Sequence, residues 1–161
     1  MRLFIKRNNL ADDVMFTVFD EKGNDKYYAV RKKLKSTKTS MGIIISDVNK
    51  ITVAKIYKLP IVTTNSYTIK ANNSRINLVC VTSSKGINCH YYGNNWHING
   101  NLTLRDFKII DVDNTLIATQ TKNKAYFELD VANGDNELFC VATSICINLI
   151  NTVDNFAAQT V

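Results

Sequence analysis

The segment Leu138-Phe-Cys-Val-Ala-Thr-Ser-Ile-Cys-Ile-Asn-Leu-Ile150 carries no charge, and it follows a long stretch patterned almost wholly as short strands. Alternating Phe139, Val141, Ile145, Ile147 and Leu149 would suit a strand, but thirteen residues is long for one. Asp135 reads as a helix N-cap, and Glu137 suits the positive end of a helix dipole. Wound as a helix, the segment presents a broad apolar face and a narrower one of Cys140, Thr143, Ser144 and Ile147. A helix uncharged all round is a buried helix. At 1.5 Å per residue it covers roughly 20 Å, against about 30 Å of bilayer hydrocarbon, and Thr143, Ser144 and Asn148 interrupt it. The segment is therefore expected to be a buried helix at about residues 135–150, not a transmembrane span.

Outward from this segment, period-2 alternation with β-branched and aromatic residues predicts about twelve strands, the first near residues 3–7 and the last near 125–131. Asn, Asp and Gly clusters separate them, as turns require. A hairpin unit recurs. Gly42-Ile-Ile-Ile-Ser-Asp47 runs on to Ala54, and Phe107-Lys-Ile-Ile-Asp111 runs on to Ala118. Phe16-Thr-Val-Phe-Asp20, running on to Ala29, reads as a version with a longer turn. In each, the Asp is placed to accept hydrogen bonds from turn amides. Repeated hairpins and one buried helix predict a mainly β fold: a closed barrel of about twelve strands around a central, hydrophobic C-terminal helix. The 161 residues fit one domain, 1–161.

Three stretches carry a family resemblance. The first is Met1-Arg-Leu-Phe-Ile-Lys6 with Phe16-Thr-Val-Phe-Asp20 through Tyr27-Tyr28-Ala-Val30. The second is Trp96-His-Ile-Asn-Gly100-Asn with Phe107-Lys-Ile-Ile-Asp111 and Ile117-Ala118. The third is Ala125-Tyr126-Phe-Glu-Leu-Asp-Val131 followed by Glu137 and the uncharged segment. In order and spacing the set resembles the LOR family, whose tubby C-terminal-like fold is shared with phospholipid scramblases. The resemblance implies a twelve-stranded barrel closed around a C-terminal helix. Tubby-like relatives bind phosphoinositides, so it also implies an anionic lipid ligand. None of their binding residues maps onto this chain.

The formal charge of +6 and a pI near 9.1 suit an anionic partner. The densest charge is in Arg31-Lys-Lys-Leu-Lys-Ser-Thr-Lys38, where Arg31, Lys32, Lys33, Lys35 and Lys38 stand together and no Asp or Glu occurs between Asp25 and Asp47. With Arg2, Lys6 and Arg7 of the first strand they form the candidate anionic-lipid site, at about 1 kcal/mol per cation near an anionic membrane. The structural alternative is a solvated loop whose charges keep an edge strand from aggregating.

Other chemistry is weaker. Nucleic-acid stacking would need exposed aromatics beside the charge, and no recognisable nucleic-acid signature occurs. Cys80, Cys89, His90 and His97 lack the closely spaced ligand pairs of a zinc site, and Cys89 and His90 point to opposite faces of a strand. No metal, cofactor or catalytic residue is expected. Met1–Arg7 has no apolar stretch behind it, so it does not read as a signal peptide. This leads to a cytoplasmic expectation, peripheral to membranes, with all four Cys as free thiols.

The reading is of a non-enzymatic barrel that binds anionic phospholipid or phosphoinositide surfaces. The alternative is a structural or protein-interaction module with no lipid ligand. A nucleic-acid-associated regulator or a small-molecule enzyme comes third.

Overall fold

The computed structural model describes residues 1–9, 12–32, 41–61 and 63–160, with only the backbone of 41 and 151–160. Twelve antiparallel strands close into one barrel. They are β1 (Arg2–Arg7), β2 (Val14–Phe19), β3 (Asp25–Lys32), β4 (Met41–Asp47), β5 (Thr52–Lys58), β6 (Asn65–Ala71), β7 (Ser74–Ser83), β8 (Gly86–Tyr92), β9 (His97–Asn101), β10 (Asp106–Ile110), β11 (Leu116–Lys122) and β12 (Phe127–Val131). Each strand pairs with the next in sequence, and β1 closes the ring on β12 in the register Arg2↔Asp130 to Ile5↔Phe127. Alternation sorts side chains by face: Leu3 and Ile5 lie inside, Lys6 outside.

The helix α1 (Glu137–Thr160) begins at one end of the barrel and runs along its axis. Every side chain from Phe139 to Ile150 is buried. The uncharged segment thus needs no charged face, because wall surrounds it on all sides. Asp135 does not cap the helix. A single 3₁₀ turn, Gly134–Asn136, precedes α1, and Asn133 caps it by accepting the Asp135 amide at 3.0 Å. The helix therefore starts two residues later than expected and also runs past 150. At its start, nearly buried Glu137 meets Lys26 Nζ at 2.5 Å and accepts from the Tyr27 hydroxyl at 3.2 Å. Burial, followed by the Glu137 charge, raises the Tyr27 phenol above its ordinary range.

Polar groups inside the barrel are linked to each other. Gln120 on β11 donates to the Arg105 carbonyl at 3.1 Å, and its Oε1 accepts a short bond from Ser144. Asn148 donates in turn to Ser144 at 3.4 Å, and Tyr91 donates to Thr143 at 2.8 Å. The Gln120–Ser144 and Tyr91–Thr143 bonds fix the helix against the wall at set heights and rotations, since a buried polar group without its partner costs about 1–3 kcal/mol.

The recurrent hairpins form as expected. Asp20, Asp47 and Asp111 each accept from the amides two and four residues ahead, at 2.9 to 3.0 Å. The turn after Asp20 is no longer than the other two. Ala29 lies further from its Asp only because it pairs with Phe16, one inward position deeper than the Ile45–Ala54 and Ile109–Ala118 pairs.

Candidate functional site

Two basic features rise from different parts of the barrel. The first is at the end opposite the helix start. Strand alternation places Arg7 and Arg31 at inward-facing positions there, and Arg105 stands just before β10. Burial lowers the affinity of Arg7 for its proton, and the Arg31 charge lowers it further; burial and then Arg7 do the same to Arg105. Arg7 lies 6.0 Å above the Phe16 ring and Arg105 5.1 Å above that of Phe127. Asp12 and Asp13 line a hollow of about 90 Å³ with Arg7 and Arg31, so this rim carries carboxylates among its cations.

The second feature lies on the outer wall and carries none. Lys55 on β5 is opposite Lys70 on β6, and Lys70 is opposite Arg75 on β7. All three are exposed. They edge an open groove of about 460 Å³ with the Asn72-Asn73 turn, and among the described residues no acid lines it. Lys70 Nζ sits 5.3 Å above the Tyr57 ring. Lys55 also faces Lys32 across a small cleft beside Tyr57. Like charges directly opposite on adjacent strands destabilise a sheet by roughly 0.2–1 kcal/mol per pair. An anion lying along this row would reverse that cost.

The expected site residues fall out unevenly. Lys33, Lys35 and Lys38 lie outside the described residues. Lys32 is exposed next to the wall row. Arg7 and Arg31 belong to the rim, whereas Lys6 points outward from β1 opposite Thr17. Arg2 is at the other end of β1, where Nε bonds Asp130 at 3.0 Å. Arg2, Lys6 and Arg7 thus do not share one face of β1, because a strand sends neighbours to opposite faces and its ends to opposite rims; of the three, Arg7 meets Arg31. The row of Lys55, Lys70 and Arg75 was not anticipated. Its signal was the two-residue Asn72-Asn73 turn, both with positive φ (50° and 58°), which sets Lys70 opposite Arg75.

The expectation of four free thiols is corrected. Cys80 and Cys89 face each other across the β7–β8 hairpin, both inward, with Cα atoms 4.1 Å apart, and are bonded as a disulfide. Nine residues apart around a tight hairpin, they become direct cross-strand partners, a relation that spacing alone does not reveal. Cys140 and Cys146 are free and buried in α1. Burial, then Glu137, pushes the Cys140 thiol up to about 12; burial raises that of Cys146 as well. Neither is poised as a nucleophile. No helix among the described residues is long and apolar enough to cross a membrane.

The wall is thinnest between β8 and β9, which share a single backbone pair, His90↔His97. Beside it opens a cavity of about 570 Å³, lined in part by Asn88, Tyr92, Trp96 and Asn99.

A closed up-and-down barrel of twelve strands, plugged along its axis by its own C-terminal helix, defines a class of filled barrels whose ligands must be met at the outer wall, rims or seams. The chain belongs to the LURP-one-related (LOR) family, which it matches over residues 1–148. A crystal structure of an Arabidopsis thaliana protein superposes with a TM-score of 0.61, covering 92% of this chain and 90% of that one at 10% identity, a likeness of fold alone. No curated protein matches the chain.

Proposed function

We propose that this LOR barrel is a non-enzymatic protein that associates with anionic phospholipid or phosphoinositide surfaces through its basic outer wall. The observation that carries the reading is the acid-free row Lys55–Lys70–Arg75, three consecutive cross-strand cations held against their own repulsion. Lys32 lies at the edge of the same wall, and Lys33, Lys35 and Lys38 follow it in the sequence. Tyr57 beside Lys70 adds an amphipathic ring of the kind that suits a headgroup boundary.

The test is co-sedimentation with vesicles containing phosphatidylserine or a phosphoinositide, against neutral phosphatidylcholine vesicles. Binding to the anionic vesicles is expected at low salt and is expected to fade towards about 0.5 M, where screening is strong. Replacing Lys55, Lys70 and Arg75 together by Ser should lower the affinity about 100-fold, at about 1 kcal/mol per cation. Replacing Lys32, Lys33, Lys35 and Lys38 by Ser reports the loop's share separately. A chain that stays in the supernatant with anionic vesicles at low salt would sink the proposal.

A further inference from the structure

The β8–β9 seam holds the chain's only two histidines. His90 and His97 are direct cross-strand partners in the one backbone pair that joins these strands. Both are exposed on the outer face, and among the described residues neither ring has a hydrogen-bond or ionic partner. Directly opposed residues have Cβ atoms about 4.5–5.5 Å apart and project side by side. Two imidazoles so placed can present their ring nitrogens to a single ion. Asn88 and Asn99, each two residues from a His on the same face, flank the pair, and the adjoining cavity leaves room for water or other ligands to complete the coordination. Cys89, turned inward and bonded to Cys80, is not part of this set.

We propose that His90 and His97 form a transition-metal site that clips the β8–β9 seam. A pair of imidazole nitrogens with neutral oxygen donors and no carboxylate selects borderline ions such as Cu²⁺, Ni²⁺ or Zn²⁺ over Mg²⁺ or Ca²⁺. Since each ligating imidazole must be neutral, binding weakens as the pH is lowered. The bound ion adds a link where the barrel wall has one backbone pair, so it stabilises the folded chain by mass action. The site is separate from the basic wall and does not depend on lipid binding.

The experiment is titration of the full, tag-free chain with Cu²⁺, followed by electron paramagnetic resonance and thermal unfolding. One equivalent is expected to bind, with nitrogen couplings from two imidazoles and a raised melting temperature that EDTA reverses. His90→Asn and His97→Asn should each lower the affinity by about 10–100-fold or more and remove the thermal shift. Their metal-free stability should stay close to that of the parent. Two independent equivalents, a one-imidazole spectrum, or undiminished binding in the double variant would overturn the proposal. The spectrum of the parent chain decides the matter even if a variant fails to fold.

Discussion

Lys50, Gly23 and Asn114 occupy the same place in three hairpin turns, with φ of 63°, 82° and 62°. Left-handed backbone suits Gly, is tolerated by Asn, and costs a residue such as Lys about 1–2 kcal/mol. The turn survives at Lys50 because Asp47 ties down the Asn49 and Ile51 amides and the Lys50 amide returns to the Asp47 carbonyl at 3.0 Å. Lys50→Gly relieves the strain but adds about 0.5–1 kcal/mol of unfolded-state entropy. The expected outcome is a net gain of up to about 1.5 kcal/mol, read as a higher midpoint in urea with an unchanged slope. A lower midpoint would mean that the lysine side chain contributes something the turn geometry does not reveal. At this scale the sequence was informative: the Asp role in each turn is visible in the repeat, and the left-handed Lys is visible only by aligning Lys50 with Gly23.

At the scale of elements, the helix shows why some features could be read from the chain and others could not. An uncharged segment admits few environments, so burial of Phe139 to Ile150 follows from composition alone. Its start does not, because Asn133 and Asp135 are both competent caps and a single 3₁₀ turn decides between them. Nor does the disulfide: Cys80 and Cys89 become partners only once a register exists. The same holds for the thin β8–β9 seam, whose opening depends on how far two strands diverge in three dimensions. Ile145 tests the axial placement of α1. It is fully buried, and Ile145→Ala should destabilise the chain by about 2–5 kcal/mol. Ile145→Asp should abolish cooperative unfolding, because the position is fully enclosed in the hydrophobic core and burying an unpaired carboxylate exceeds the stability of a domain this size. A soluble Ile145→Asp protein with a sharp thermal transition would remove the helix from the axis.

For the whole molecule, the question is whether the positive charge is incidental or placed. A net charge of +6 scattered on a barrel would serve solubility alone. Three cations in consecutive cross-strand register, in a groove that no described acid lines, work against the sheet that holds them. Sites under functional selection often trade stability for binding, and this one makes the trade measurable. Lys55 is the informative residue, since it opposes Lys70 and also faces Lys32, whereas Lys70 gains from its Tyr57 ring and would confound the result. Lys55→Gln keeps a flexible polar side chain and removes the charge. At low salt it should raise stability by a few tenths to about 1 kcal/mol, and the gain should vanish by about 0.5 M salt as screening silences the repulsion in the parent. At low salt its affinity for anionic vesicles should fall below that of the parent by about fivefold, the loss of about 1 kcal/mol for one cation. Opposite signs in the two measurements are the signature of a binding surface. A variant that is more stable yet binds vesicles as tightly as the parent would reduce the row to solvated wall and shift the search for function to the arginine rim.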